Sequence, residues 1–321
     1  MLKTVKRKIK EGVLSIPPLM NMLESVARTG VGSNLCLKRG FLPLPISFYS
    51  PVPDIDDLIR RDVWGKKTEM AGIDFRVGEQ LRLLKNLGET FGKECDWPAE
   101  RSRDDRQFFV NNSSFSYGCA ASTHSFIRNF RPKRVIEIGS GMSSLIISEA
   151  VMRNRAETGF PAEYVIVDPY PGEVVRNGLN GLDRLVESRV ELLPPSFFSG
   201  LEEGDILFID SSHTVKIGSD CNYLYLEIVP SVPPGVILHV HDIGLPYEYP
   251  RAYATSETFR QFWTEQYILQ AFLSHNAQYE ILLAMNYLMT EHPGLFESSF
   301  PHYDKEKHQY TSSSFWIRRK P

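Results

Sequence analysis

The sequence predicts an α/β fold: a mostly parallel, seven-stranded sheet covered by helices, preceded by a partly helical N-terminal cap. Three observations carry this. The apolar run Val135 to Ile138 breaks at Gly139 and Gly141 and gives way to a helical stretch from Ser143. From residue 134 onward, strand-like and helix-like runs alternate, the rhythm of right-handed crossovers and a parallel sheet. Several strand-like runs end in polar residues, namely Asp168, Asp210 and the pair His241-Asp242. Open α/β sheets bind ligands at such carboxyl ends. The architecture is Rossmann-like, with residues 1–110 as the cap and 111–321 as the ligand-binding domain.

The elements follow in order. In residues 1–50, Gly, Pro and short apolar pieces alternate, with a helix near Leu19–Ala27. Asp54 caps a short helix, since its carboxylate suits free N–H groups. Leu81, Leu84, Leu87 and Phe91 follow the helical repeat within residues 78–96. Glu100 to Arg106 is a charged linker of both signs, and a turn-rich aromatic stretch then leads into a helix over Ala120–Phe130. Strands are expected at 134–138, 164–168, 190–193, 205–210, 235–241, 279–284 and 313–318. Helices are expected at about 143–154, 197–201, 219–228 and 256–275.

Composition removes several function classes. The chain has 321 residues, 42% of them apolar, which is enough for a sizeable core. A net charge of −3 provides no basic field for nucleic acid. Cys36, Cys95, Cys119 and Cys221 are far apart, so neither a disulfide framework nor a thiolate zinc site is expected. A reduced, cytoplasmic setting fits. No apolar run reaches the ~20 residues of a membrane span. The basic segment 1–10 is not followed by a long apolar region, which argues against a secretory signal. It reads as a solvated terminus or as a contact with an anionic membrane surface.

Strand, glycine turn and helix together make a small-ligand cradle. Glycine lets the backbone turn sharply and lets a ligand come close, and the helix start offers free N–H groups. Ser144 stands where a dinucleotide fingerprint has its third glycine, so the turn alone fits several nucleotides. Asp168, ending the second strand, suits a ribose diol. Glu137 either accepts from a ligand ammonium or holds the glycine loop. This Glu-x-Gly-x-Gly-x-Ser pattern, with an acid ending the next strand, resembles class I S-adenosylmethionine-dependent methyltransferases. The resemblance covers roughly residues 116–318 and matches that class in its seven strands, the last inserted antiparallel. It implies S-adenosylmethionine held by Glu137, Gly139, Ser140, Gly141, Ser143, Asp168 and Asp210. The helix before the glycine turn would lie over the cofactor, placing Ser116, Tyr117 or Gly118 near cofactor or substrate; an ordinary surface turn is the other reading.

The fourth strand ends in Asp210-Ser211-Ser212-His213 and the fifth in His239-Val240-His241-Asp242. Two carboxylates and an imidazole suit Mg²⁺, Mn²⁺, Fe²⁺ or Zn²⁺. The arrangement resembles metal-dependent O-methyltransferases acting on catechols and macrolide sugars. That implies Asp210, His241 and Asp242 as ligands of a divalent metal, His241 replacing the usual carboxylate. It also implies His213 as general base, with a pKa near neutrality. His239 lies deeper in the strand and reads as a core histidine. His275, His292, His302 and His308 lack ligand spacing. Tyr247, Tyr249, Arg251 and Trp263 either line the acceptor mouth or anchor the Pro250 loop. The resulting reading is an S-adenosylmethionine-dependent O-methyltransferase acting on a hydroxyl of a sugar, glycan precursor or secondary metabolite, with homo-oligomers allowed. The alternatives are an iron-dependent hydroxylase on the same fold and a non-catalytic, methyltransferase-like binding subunit.

Overall fold

The computed structural model describes residues 16–257, 259–308 and 312–321. The basic segment 1–10 lies outside them. Contacts divide the chain into two compact units, residues 1–65 and 66–321. In the first, helices span Pro17–Thr29, Ser33–Leu37 and Ile55–Arg60. Asp54 caps the last of these, accepting from Asp57 N at 3.2 Å.

The second unit carries the sheet. Its main elements are α1 (Val77–Phe91), α2 (Tyr117–Phe130), β1 (Arg134–Ile138), α3 (Met142–Thr158), β2 (Glu163–Val167) and β3 (Arg184–Val186). They continue with β4 (Ile206–Ile209), α4 (Asp220–Tyr223), β5 (Ile237–Val240), α5 (Glu265–Leu273), β6 (Tyr279–Ala284) and β7 (Phe315–Arg319). The strand order is β3-β2-β1-β4-β5-β7-β6. Strands β1 to β5 pair in parallel, and β7 runs antiparallel between β5 and β6. The order reverses at β1/β4, so both strands deliver their carboxyl ends to the crevice where such folds bind ligands.

Each face of the sheet has its own core. One joins α1, α2 and α3 to the strands through Leu84, Leu87, Phe126, Ile146 and Trp316. The other buries Leu224, Ile228 and Leu269 against Ile138, Ile209 and Val240. Leu84, Leu87, Phe91, Trp97, Phe108 and Val110 share the first core with Val135. The boundary expected at 110 therefore falls inside one packed body, because residues 66–110 bury their apolar side chains on the sheet's own helices. No helix among the described residues is long and apolar enough to cross a membrane.

Three expected elements differ, the first being the helix expected at about 197–201, where the chain makes only a 3₁₀ turn at Pro195–Phe197. The third strand is Arg184–Val186, paired with Val165–Val167, and Val190–Leu192 is a 3₁₀ turn. Val190 is buried, which explains its apolar character, but the preceding segment takes the sheet edge. The helix expected over 256–275 is confined to α5, and a separate short helix, Arg251–Thr255, precedes it. The carbonyl of His213 captures the N–H groups of Thr264 and Glu265, at 2.8 and 3.2 Å, and fixes where α5 begins.

A buried charged network ties α2 to α3. Arg128, 3% exposed, donates to Glu94 Oε2 at 2.9 Å and to Asn154 Oδ1 and Glu157 Oε1 at 2.5 Å each. The hydrogen bond from His124 and the Arg128 guanidinium lower the Glu94 carboxyl from 4.5 to about 2, against the opposing effect of burial. A depressed carboxylate stabilises the fold fully above its unfolded value and loses that contribution as pH falls to its folded value. Glu94→Gln is expected to cost about 3 kcal/mol at pH 7, since it leaves a buried guanidinium short of a partner. The gap to wild type should close as pH falls from 4.5 towards 2, measured by urea unfolding across that range.

Candidate active site

The site grows from the β1 turn. Gly139 has φ +84°, and its N–H donates to Val167 O at 2.9 Å. A Cβ there would stand 2.1 Å from the carbonyl oxygen of Asp210, so only glycine lets β1 and β4 close at this height. Gly141 N donates to Ser144 Oγ at 3.0 Å and opens α3. Beneath the turn, Glu137 is fully buried. It accepts from Ser143 Oγ at 2.6 Å, from Ser144 Oγ at 3.1 Å and from Tyr164 OH. Burial pushes its pKa up to about 8, with the three hydroxyls opposing. Glu137 thus braces the turn from below. Of the two roles open to Glu137, a ligand ammonium or the glycine loop, these three contacts favour the loop.

Two cavities meet over this turn, and a third lies beyond β5. The first, about 550 Å³, is lined by Gly139, Ser140, Asp168, Tyr170, Arg189 and Asp210, among others. Asp168 accepts from Ser140 Oγ and from Tyr170 N at 2.7 Å. The second, about 620 Å³, shares Ser140 and Asp210 and adds Gly141, Ser143, Arg101 and Asp105. The third, about 430 Å³, lies beyond β5 against Asn112, Ser116, His241, Asp242, Tyr249 and Tyr253. Of the residues before α2's first turn, Ser116 therefore reaches a cavity. Tyr117 is buried, its hydroxyl donating to Cys95 O at 2.8 Å, and Gly118 packs on Ser312.

Where these cavities adjoin, β4 and β5 bring four polar side chains together. Ile209 pairs with Val240, so the next residues, Asp210 and His241, stand side by side. One donor atom each of Asp210, His241 and Asp242 lies within 4.8 Å of the others. His241 Nδ1 is 3.5 Å from both Asp210 Oδ1 and Asp242 Oδ2, and neither of its ring nitrogens has a hydrogen-bond partner among the described residues. His213 Nε2 is 3.2 Å from Asp210 Oδ1 and 3.5 Å from Asp242 Oδ2. His213 and Asp242 both sit at positive φ, +57° and +56°. Such backbone costs of order 1–3 kcal/mol and clusters at functional sites. A buried imidazole 3.5 Å from two carboxylates is a donor set that could hold a divalent cation.

The surroundings fix these groups. His213 Nδ1 meets Glu265 Oε2 at 2.7 Å, and Glu265 is wholly buried, accepting also from Tyr225 OH at 3.0 Å. Trp263 covers the His213 ring at 4.4 Å between centroids. Burial would lower the His213 pKa, but Asp210 and Glu265 raise it to about 10. Burial likewise opposes the ionised Asp210, yet His241 and His213 keep its carboxyl well below the usual range. Ser313 Oγ donates to Asp242 Oδ1 at 2.9 Å. His239 is buried against Phe208, at 3.8 Å between ring centroids, and reaches Ser314 Oγ at 2.9 Å. Burial depresses its pKa, as suits a neutral core histidine.

The aromatic residues after β5 divide. Tyr249 lines the third cavity and accepts from Gln266 N at 2.9 Å. Tyr247 instead donates to Glu291 on the flank of the fold. Glu265 and Ser313 escaped the sequence reading. An acid at a helix start is explained by the helix dipole, and nothing local distinguishes Glu265 from that ordinary case.

The sheet order, the antiparallel seventh strand and the glycine turn facing Asp168 define a methyltransferase-type α/β fold. Residues 136–243 match a family described as a methyltransferase domain. An uncharacterized protein of Archaeoglobus fulgidus is 32% identical over 169 residues, covering 50% of this chain and 75% of that protein. Among solved structures, a candidate methyltransferase from Thermobifida fusca is 14% identical, with a TM-score of 0.39 over 63% of this chain and 79% of that one. The plantazolicin methyltransferase BpumL, in complex with SAH, is 10% identical, with a TM-score of 0.36 over 83% of this chain and 98% of that one. Residues 136–243 of the chain thus carry a methyltransferase domain.

Proposed function

We propose that this enzyme transfers the methyl group of S-adenosylmethionine to a hydroxyl of a neutral sugar, glycan precursor or other small metabolite. One observation carries the reading. Asp210 borders both cofactor-side cavities, while His241 and Asp242, which it meets, line the third cavity. The polar cluster therefore stands at the boundary that a methyl group would cross. In-line displacement from a sulfonium depends chiefly on holding the acceptor oxygen behind the methyl. The third cavity suits a hydroxylated, uncharged acceptor. Its lining includes Asn112, Asn286, Ser116 and two tyrosines, its carboxylates are Asp242 and Glu248, and no Lys or Arg is among the described residues lining it.

Asp168, with Ser140, is suited to the ribose diol at the first cavity, and Gly139 and Gly141 let the cofactor approach the backbone. Asp210, His241 and Asp242 are the residues that would hold a divalent cation. A cation bound there lowers the pKa of an acceptor hydroxyl and fixes its position. His213 joins this set as a fourth donor in our reading, and not as the base suggested by sequence. It lines none of the three cavities, and its environment retains a proton until the neighbouring carboxylates are neutralised. Glu265 then fixes the His213 tautomer from behind, as carboxylates do for metal-bound imidazoles.

Calorimetric titration with S-adenosylhomocysteine is the first test, run with Mg²⁺, Mn²⁺ or Zn²⁺ and with chelator. Binding in the micromolar range is expected. Methyl transfer to sugar hydroxyls should be abolished by chelator and restored by added cation. Absence of binding at millimolar ligand would overturn the reading. Turnover requiring iron and dioxygen would point to the hydroxylase alternative.

A further inference from the structure

We propose that Arg101 and Asp105, on the loop before α2, clamp the amino-acid end of S-adenosylmethionine. The inference rests on the cofactor reading above. At neutral pH that end of the cofactor is a zwitterion, so its pocket needs a cation for the carboxylate and an acceptor for the ammonium. Glu137 is not available, since Ser143, Ser144 and Tyr164 occupy its buried carboxylate. The second cavity shares Ser140 and Asp210 with the first and extends past Gly141 to the N-terminus of α3. This is where the methionyl chain must run once the ribose sits against Asp168.

Among the described residues lining that cavity, Arg101 is the one cation; its carboxylates are Asp105, Glu173 and Asp210. The sequence presents Glu100–Arg106 as an ordinary charged linker. The structure gives it a site. Its neighbours are committed: Glu100 accepts from Asn111 at 2.7 Å, and Asp104 accepts from Arg106 N at 3.0 Å. The loop is pinned to its own base by Val110 N to Pro98 O at 2.9 Å and Asn111 N to Ala99 O at 2.8 Å. No hydrogen bond or ion pair engages the Arg101 or Asp105 side chain among the described residues. Arg101, exposed and lining the same cavity as Gly141 and Met142 at the start of a 17-residue helix, makes that cavity suited to a carboxylate.

The test compares two ligands by calorimetry on the full-length protein. S-adenosylhomocysteine carries the amino-acid end; 5′-methylthioadenosine has the same adenosine and sulfur without it. Arg101→Met should weaken S-adenosylhomocysteine about tenfold to hundredfold, the range for losing a hydrogen bond to a charged group. Its affinity for 5′-methylthioadenosine should stay within about twofold of wild type, which also certifies the fold. Asp105→Asn should show the same selectivity with a smaller loss. Equal weakening of both ligands, or of neither, overturns the clamp. Wild-type protein that binds neither ligand overturns the cofactor reading itself, a different outcome from a failure of the clamp alone.

Discussion

Gly139→Ala is expected to abolish S-adenosylhomocysteine binding and to destabilise the fold by about 2–5 kcal/mol. Two effects add. The position has φ +84°, where an L side chain is strained by roughly 1–2 kcal/mol. The new Cβ would also meet the Asp210 carbonyl oxygen at 2.1 Å, a backbone atom that no rotamer can move aside. Relief requires β1 and β4 to separate at their carboxyl ends, where Asp210 N donates to Ile138 O at 2.9 Å. Overpacking of this kind costs about 1–3 kcal/mol by itself. The displaced residue is Asp210, so the cofactor cleft and the acidic cluster are lost together. Gly141→Ala is the control. A Cβ there meets nothing within 4 Å, so stability should change little. Urea unfolding and calorimetry on both variants check this; a Gly139→Ala protein of wild-type stability and affinity would remove the close approach from the account.

Much of this site was legible because it is topological. Once β4 and β5 are adjacent and parallel, polar residues that follow both strands must meet, whatever the intervening chain does. Asp210, His241 and Asp242 could therefore be paired without coordinates, and Gly139 read as a forced turn. What failed depended on competition between segments. Arg184-Leu185-Val186 is too short to show a period, and Val190 mimicked a strand by being buried next to it. Helical character across 256–264 lost to the His213 carbonyl, which claims two N–H groups at the start of α5. The two roles open to Glu137 were separable only by seeing which hydroxyls face it. Glu265 lies 52 residues from its partner His213, and no local pattern encodes that contact.

His213→Ala separates the two roles open to that residue. As a fourth donor, His213 contributes to cation affinity, so the variant should lose cation and turnover together while retaining S-adenosylhomocysteine. As a base it would lose turnover by about 10²–10⁴-fold and keep its cation. The four donor atoms make a closed circuit, with His213 Nε2, Asp210 Oδ1, His241 Nδ1 and Asp242 Oδ2 spaced 3.2 to 3.5 Å from one to the next. His213 Nε2 reaches two of the three clustered donors, Asp210 and Asp242, and the donor role rests on that contact. Glu265→Gln provides the graded comparison. It leaves the imidazole in place but weakens its orienting partner, and such outer partners are worth about 10–100-fold in metal affinity. The expected order of cation affinity is wild type, then Glu265→Gln, then His213→Ala. Metal content by mass spectrometry and titration with Zn²⁺ or Mn²⁺ measure it without reference to activity. A His213→Ala protein with full cation affinity and lost turnover would return the residue to the role of base.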